Sequence, residues 1–143
     1  MCVIVDVNVV QLVFSSPPTG DYYVMLDALR MKRAKAVYGG ELAREYVRLK
    51  KLRSLFAELE RQGVLRRIPD TLVDDETDVV VREGICISND QHIIALARVS
   101  NVRLLCTNDR RLQSDFKNPR VLKPRGSVYK RKSHRHLIRK HCR

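Results

Sequence analysis

The sequence predicts an α/β domain with a central, mostly parallel sheet of four or five strands flanked by helices. Two observations carry this. The apolar runs Cys2-Val3-Ile4-Val5 and Val102-Arg103-Leu104-Leu105-Cys106 are short and rich in β-branched residues and leucine, as suits strands buried on both faces. Between such runs lie longer stretches with helical periodicity, and strand–helix alternation implies a parallel sheet with right-handed crossovers.

Taken in order, residues 2–6 read as the first strand. Ser15-Ser16-Pro17-Pro18-Thr19-Gly20 is a loop with turn chemistry, and Asp21 can cap a helix running to about residue 37. Gly39-Gly40 breaks that helix. The next, from about 41 to 62, carries Leu42, Tyr46, Leu49, Leu52, Phe56 and Leu59 at spacings of four, three, three, four and three, one apolar stripe closed by Gly63. Val64–Ile68 reads as a strand stopped by Pro69. Thr71 to about Glu83 reads as a helix, although Val79-Val80-Val81 also suits a strand. Ser88 with Gln91 forms a capping box for a helix over 89–99, with Ile93, Ile94, Leu96 and Ala97 inward and Asn101 at its end. Val102–Cys106 is a strand, Arg110–Phe116 a short helix or turn, and Val121-Leu122 a final edge strand.

Composition bounds the class. A chain of 143 residues with 44% apolar content can bury a core as one domain. No apolar stretch is long enough to span a bilayer, and residues 2–14 are interrupted by Asp6, Asn8 and Gln11, so neither a membrane anchor nor a signal peptide is expected. Cys2, Cys86, Cys106 and Cys142 show no CxxC spacing and read as reduced thiols of a cytoplasmic protein. The net charge of +12 is unevenly spread. Eleven of the 28 Lys and Arg lie at 117–143, where there is no acid, leaving seventeen bases against sixteen acids before it. The body up to residue 116 is thus nearly neutral and the chain beyond it cationic, with the domain bounded at 1–122 and a basic C-terminal extension at 123–143. Lys123, Arg125, Lys130, Arg131, Lys132 and Arg135 are its candidate phosphate contacts for a polyanion, RNA or DNA.

Four carboxylates stand at the ends of the apolar segments. Asp6 closes the first strand, Asp109 follows the last long one, and Glu41 and Asp90 open helices. Ligands of parallel sheets bind beyond the carboxyl ends of the strands. There the four would repel one another unless hard divalent cations neutralised them through oxygen ligands. Singly, Glu41 and Asp90 are explained by the helix dipole and Asp109 by turn chemistry. A carboxylate closing a buried strand needs a partner, which makes Asp6 the hardest to explain otherwise. Asn8 and Thr107 lie two residues from Asp6 and Asp109, on the same side if the chain stays extended. His92 reads as a capping or packing residue, and Asp74-Asp75-Glu76 with Asp78 as a solvated helix start. His134, His136, His141 and Cys142 match no zinc-finger spacing and sit among cations.

Val5-Asp6-Val7-Asn8, Glu41 heading a helix, Asn89-Asp90-Gln91-His92-Ile93-Ile94-Ala95-Leu96-Ala97 and Cys106-Thr107-Asn108-Asp109 together resemble the PIN-domain nucleases. Within them they are most similar to single-domain VapC-type ribonuclease toxins of toxin–antitoxin pairs. The resemblance covers about residues 1–122 and implies a PIN-like three-layer fold. It implies that Asp6, Glu41, Asp90 and Asp109 hold one or two Mg²⁺ or Mn²⁺ ions and hydrolyse RNA phosphodiester bonds, with Asn8, Thr107 and Asp115 in support. It also implies an antitoxin partner and a homodimer. The basic extension departs from the pattern, since such toxins usually end soon after the last strand. The alternative is a noncatalytic RNA-binding or assembly module on the same fold.

Overall fold

The computed structural model describes residues 1–14 and 20–142, so the turn-rich loop expected at 15–20 lies, apart from Gly20, outside the described residues. Five strands form one sheet: β1 (Val3–Val5), β2 (Ala36–Tyr38), β3 (Leu65–Arg67), β4 (Leu104–Cys106) and β5 (Ser127–Val128), in the order β3-β2-β1-β4-β5. Every pairing is parallel, with Val3 aligned on both Ala36 and Leu104, Ala36 on Leu65, and Leu104 on Ser127. The expected α/β class is therefore observed. The three residues of β1 and of β4 are wholly buried, as strands covered on both faces must be.

Around the sheet pack α1 (Val7–Val13), α2 (Tyr23–Arg30), α3 (Glu41–Val47), α4 (Arg53–Arg61), α5 (Asp70–Glu83), α6 (Gln91–Ser100), α7 (Arg110–Phe116) and α8 (Arg135–His141). Helices α5 and α6 lie along one another. Among the described residues no helix is long and apolar enough to cross a membrane. The strand order reverses between β1 and β4, whose connections leave in opposite directions. That switch point opens a crevice at their carboxyl ends.

Several local expectations give way to tertiary packing. The helix expected over 21–37 stops at Arg30, and Ala36–Tyr38 becomes β2 between β1 and β3. Its end is a Schellman motif: the Arg33 amide donates to the Ala28 carbonyl at 2.8 Å and the Lys32 amide to that of Leu29 at 3.1 Å. The left-handed position, usually glycine, is held by Lys32 (φ +60°), so the usual stop signal is missing from the sequence.

The helix expected over 41–62 is also divided, by a 3₁₀ turn at Lys50–Leu52. A continuous helix would place Tyr46 and Phe56 about 15 Å apart along its axis. Instead their rings stack at 4.9 Å, Tyr46 also stacks on Tyr38 at 5.5 Å, and the Tyr46 hydroxyl donates to the Val5 carbonyl. The aromatic stripe closes on itself, and the backbone breaks to let it.

The edge strand expected at Val121-Leu122 lies instead at Ser127–Val128, while Val121 and Leu122 are buried in a turn. Gly126 permits this because a Cβ there would stand 2.1 Å from the Phe116 ring. The next residue, Tyr129, is fully buried and donates from its hydroxyl to the Asp21 carbonyl at 2.7 Å. Helix α8 then runs back along α2 towards the start of β1. There Cys2 and Cys142 are joined by a disulfide, against the expectation of reduced thiols, while Cys86 and Cys106 are free. A separation of 140 residues hides such a contact from any reading of spacing.

Candidate active site at the carboxyl edge of the sheet

Asp6 follows β1 and caps α1. Its Oδ1 accepts from the Val7 amide at 2.7 Å and its Oδ2 from the Thr107 hydroxyl at 2.8 Å. Asp109 follows β4 and caps α7, accepting from the amides of Arg111 (2.9 Å) and Leu112 (3.2 Å). Both carboxylates thus stand at helix N-termini, where amides and dipole favour negative charge.

Thr107, fully buried, ties the two together. Besides donating to Asp6, its hydroxyl accepts from the Asp109 amide at 3.1 Å and from the Asn8 side-chain amide at 3.3 Å. Gln113 donates to the Thr107 carbonyl at 2.8 Å and fixes its backbone. Asn8 accepts from the Asn108 amide at 3.3 Å, closing the ring.

Asp90 heads α6, where its amide donates to the Ser88 hydroxyl at 3.3 Å. The expected capping box is therefore not formed in its usual register. Asp115 is what holds this loop: buried, it accepts from the amides of Ile87 (3.0 Å) and Ser88 (2.9 Å). Its role is to place the segment leading into Asp90.

The second helix contributes differently from expectation. Glu41 is half-exposed and paired at 2.9 Å with Arg44, which also holds Asp74 at 2.9 Å. Glu45, one turn on, is turned inward and pairs with Nε2 of His92 at 3.0 Å. The sequence reading missed Glu45 and set His92 aside. The available signal was the four-residue step from Glu41, which keeps both acids on one face of α3. Gly40 (φ +59°), whose amide donates to Asp70 at 3.0 Å, sets the entry of this helix.

The electrostatics are those of acids crowded out of water. Burial raises the Asp6 carboxyl above its ordinary value, and Asp109 adds to this, while hydrogen bonds from Thr107 and Val7 and the charge of His92 oppose it. Asp90 is raised to about 6, chiefly by burial, then by the charge of Asp6 and a hydrogen bond with Asp109. Glu45 is also raised, first by burial and further by Asp6 and Glu41, with His92 pulling the other way. The structure therefore brings Asp6, Asp90, Asp109, Glu45 and His92 into one electrostatic group, with Glu41 at its rim.

Hard carboxylate oxygens that raise one another's proton affinity have the donor chemistry of a Mg²⁺ or Mn²⁺ site. In the present side-chain arrangement, however, no group of three or more His, Cys, Asp or Glu among the described residues converges closely enough to hold an ion. The fit lies in donor type and charge rather than in finished coordination geometry.

The basic candidates divide between two places. Lys123, Arg125, Lys130, Arg131, Lys132 and Arg135 are all exposed. Because β5 is parallel to the others, Lys130–Lys132 follow it at the carboxyl edge, with Arg135 just beyond them opening α8, and Lys123 and Arg125 precede it at the opposite edge. No protein-family model, curated protein or solved structure matches the chain.

Proposed function

We propose that the protein is a metal-dependent endoribonuclease of the PIN type, acting as the toxin of a toxin–antitoxin pair. The observation that carries this reading is the carboxylate group at the β1/β4 switch point, where Asp90 is raised to about 6 by burial first and then by Asp6 and Asp109. A binding module gains nothing from clustered acids that repel both one another and phosphate.

Asp6, Asp90, Asp109 and Glu45 would hold one or two Mg²⁺ or Mn²⁺ ions, with Glu41 at the margin. Bound there, such an ion would supply an activated water and neutralise charge on the scissile phosphate. Thr107 and Asn8 orient Asp6 and Asp109, His92 orients Glu45, and Asp115 holds the loop into Asp90. Lys130, Arg131 and Lys132 offer cations for the RNA backbone at the same edge. On this reading the protein acts on RNA in the cytoplasm, and the Cys2–Cys142 disulfide stands against the reduced thiols ordinarily kept there. A homodimer and an antitoxin that blocks the carboxyl edge complete the proposal.

The second reading, a noncatalytic RNA-binding module, is favoured by the lack of three converging donors among the described residues. A panel of single-stranded RNAs incubated with Mn²⁺ or Mg²⁺ separates the two. Cleavage by the wild type that is lost in Asp6→Asn and Asp90→Asn supports the nuclease, and metal-independent cleavage, or full activity in both variants, overturns it. Light scattering of the purified chain tests the dimer, and co-purification with a small co-expressed neighbour protein tests the antitoxin.

A further inference from the structure

At the amino edge of the sheet a cleft of about 990 Å³ opens between α2, the turn into β2, and α8. Five cations line it: Lys32, Arg33, Lys35, Arg135 and Arg139, all exposed, against one acid, Asp27. Elsewhere Arg44, Arg61, Arg67 and Arg98 are paired with carboxylates, but none of these five is, among the described residues. Gathering unpaired like charges around a concavity raises the free energy of the empty protein, and an anion in the cleft reverses the sign.

The cleft is more than a charged patch. Its floor is apolar, with Val24, Ala28 and Ile138, and Tyr23 stands 37% exposed beside it. Cations that track a backbone, combined with an aromatic face and an apolar floor, are what an unpaired polynucleotide needs. A duplex hides its base faces and would use only the charge. The disulfide Cys2–Cys142 borders the cleft and holds α8, which carries Arg135 and Arg139, against the start of β1.

We propose that this cleft is a binding groove for single-stranded nucleic acid, with backbone phosphates on the five cations and a base against Tyr23. No residue lining the cleft belongs to the carboxylate group, and at the Cys2 end four residues of extended chain, about 13 Å, separate the two. The inference rests on the nuclease reading only for naming RNA as the strand bound; the groove lies outside the basic segment's Lys130–Lys132 and extends binding to the opposite edge.

The test is fluorescence anisotropy of a labelled twelve-nucleotide oligouridine with the full chain in EDTA, where no cleavage intervenes. Arg33→Gln with Arg139→Gln should weaken binding at least tenfold and flatten the dependence of log K on log salt by about 1.4, the release of two phosphate contacts. Tyr23→Ala should weaken RNA at least fivefold while leaving polyglutamate of equal charge unaffected. Lys32→Gly, which suits the left-handed backbone there, removes a cation without threatening the fold and should also weaken RNA binding. Unchanged affinity and slope in the double variant overturn the proposal. So does polyglutamate binding as tight as RNA with Tyr23→Ala silent, an outcome that assigns the cleft to an acidic protein. Binding in EDTA that survives while every RNA stays uncut sinks the nuclease reading and leaves the groove standing.

Discussion

The two edges of one sheet are built on opposite electrostatic plans. At the carboxyl edge, Asp6 is buried and Asp90, Asp109 and Glu45 are partly buried; Asp6 and Asp109 are bonded to helix N-termini, and the group is crowded enough that Asp90 is raised to about 6. At the amino edge, cations are exposed, paired with no carboxylate among the described residues, and spread around an open cleft bordered by a disulfide. The contrast separates two ways of being ready for a ligand. Buried like charges need a counter-charge at short range and fixed geometry, which suits chemistry. Solvated like charges need only a polyanion, which suits grip.

The sharpest way to break the comparison is to neutralise one edge and read both. Asp109→Asn should lower RNA cleavage by about 10³-fold or more, ~4 kcal/mol of transition-state stabilisation, while RNA affinity in EDTA stays within a factor of two. A parallel loss of affinity would show that the edges are not separate. Next in size is Cys142→Ser, which opens a loop spanning 140 residues. Non-reducing urea denaturation should show a loss of about 4–5 kcal/mol. A loss below 1 kcal/mol would mean that packing alone holds α8 in place.

Thr107→Val keeps the shape of the fully buried side chain but removes the hydroxyl shared by Asp6, Asn8 and Asp109. Leaving those groups short of a partner should cost about 1–3 kcal/mol in denaturation and reduce cleavage as well. Asp90 gives a smaller effect with a definite sign. Its folded value is raised, so the folded state holds this proton more tightly than the unfolded chain. Stability is greatest below the unfolded value of 3.8 and falls as pH rises to about 6. Metal-free Asp90→Asn should therefore melt higher than wild type at pH 7.5 and lose that advantage by pH 4; the reverse order in a thermal scan would remove the crowding argument. The smallest effect belongs to the amino edge: Lys32→Gly relieves a left-handed lysine and should raise stability by about 0.5–1 kcal/mol by thermal melting.

Much of the carboxyl edge was legible in the residues themselves. Asp6 and Asp109 could be placed because an apolar run ending in an acid marks both the strand and its exit, and Asp90 because a helix start is locally encoded. Thr107 lies just past β4 as extended chain predicts, but Asn8 reaches it from the first turn of α1, because the chain turns helical at Val7 rather than staying extended. Glu45 and His92 were not legible, since their inward turn depends on where α3 and α6 meet. Gly40 and Asp70 set the entry of α3, and the Glu45–His92 pair forms only once the two helices dock.

By itself the sequence determined the α/β class, the buried β1 and β4, α5, α6 and α7 to within a residue or two, and the excess of cations beyond Asp115. These rest on local periodicity and on charge, which need no partner to be read. Only the tertiary structure decided that Ala36–Tyr38 is a strand, that the Tyr46–Phe56 stack breaks a helix, that the fifth strand lies past Gly126, and that Cys142 meets Cys2. Each of those depends on contacts between residues distant in the chain, whose packing free energy exceeds the weak local preference that would have decided otherwise.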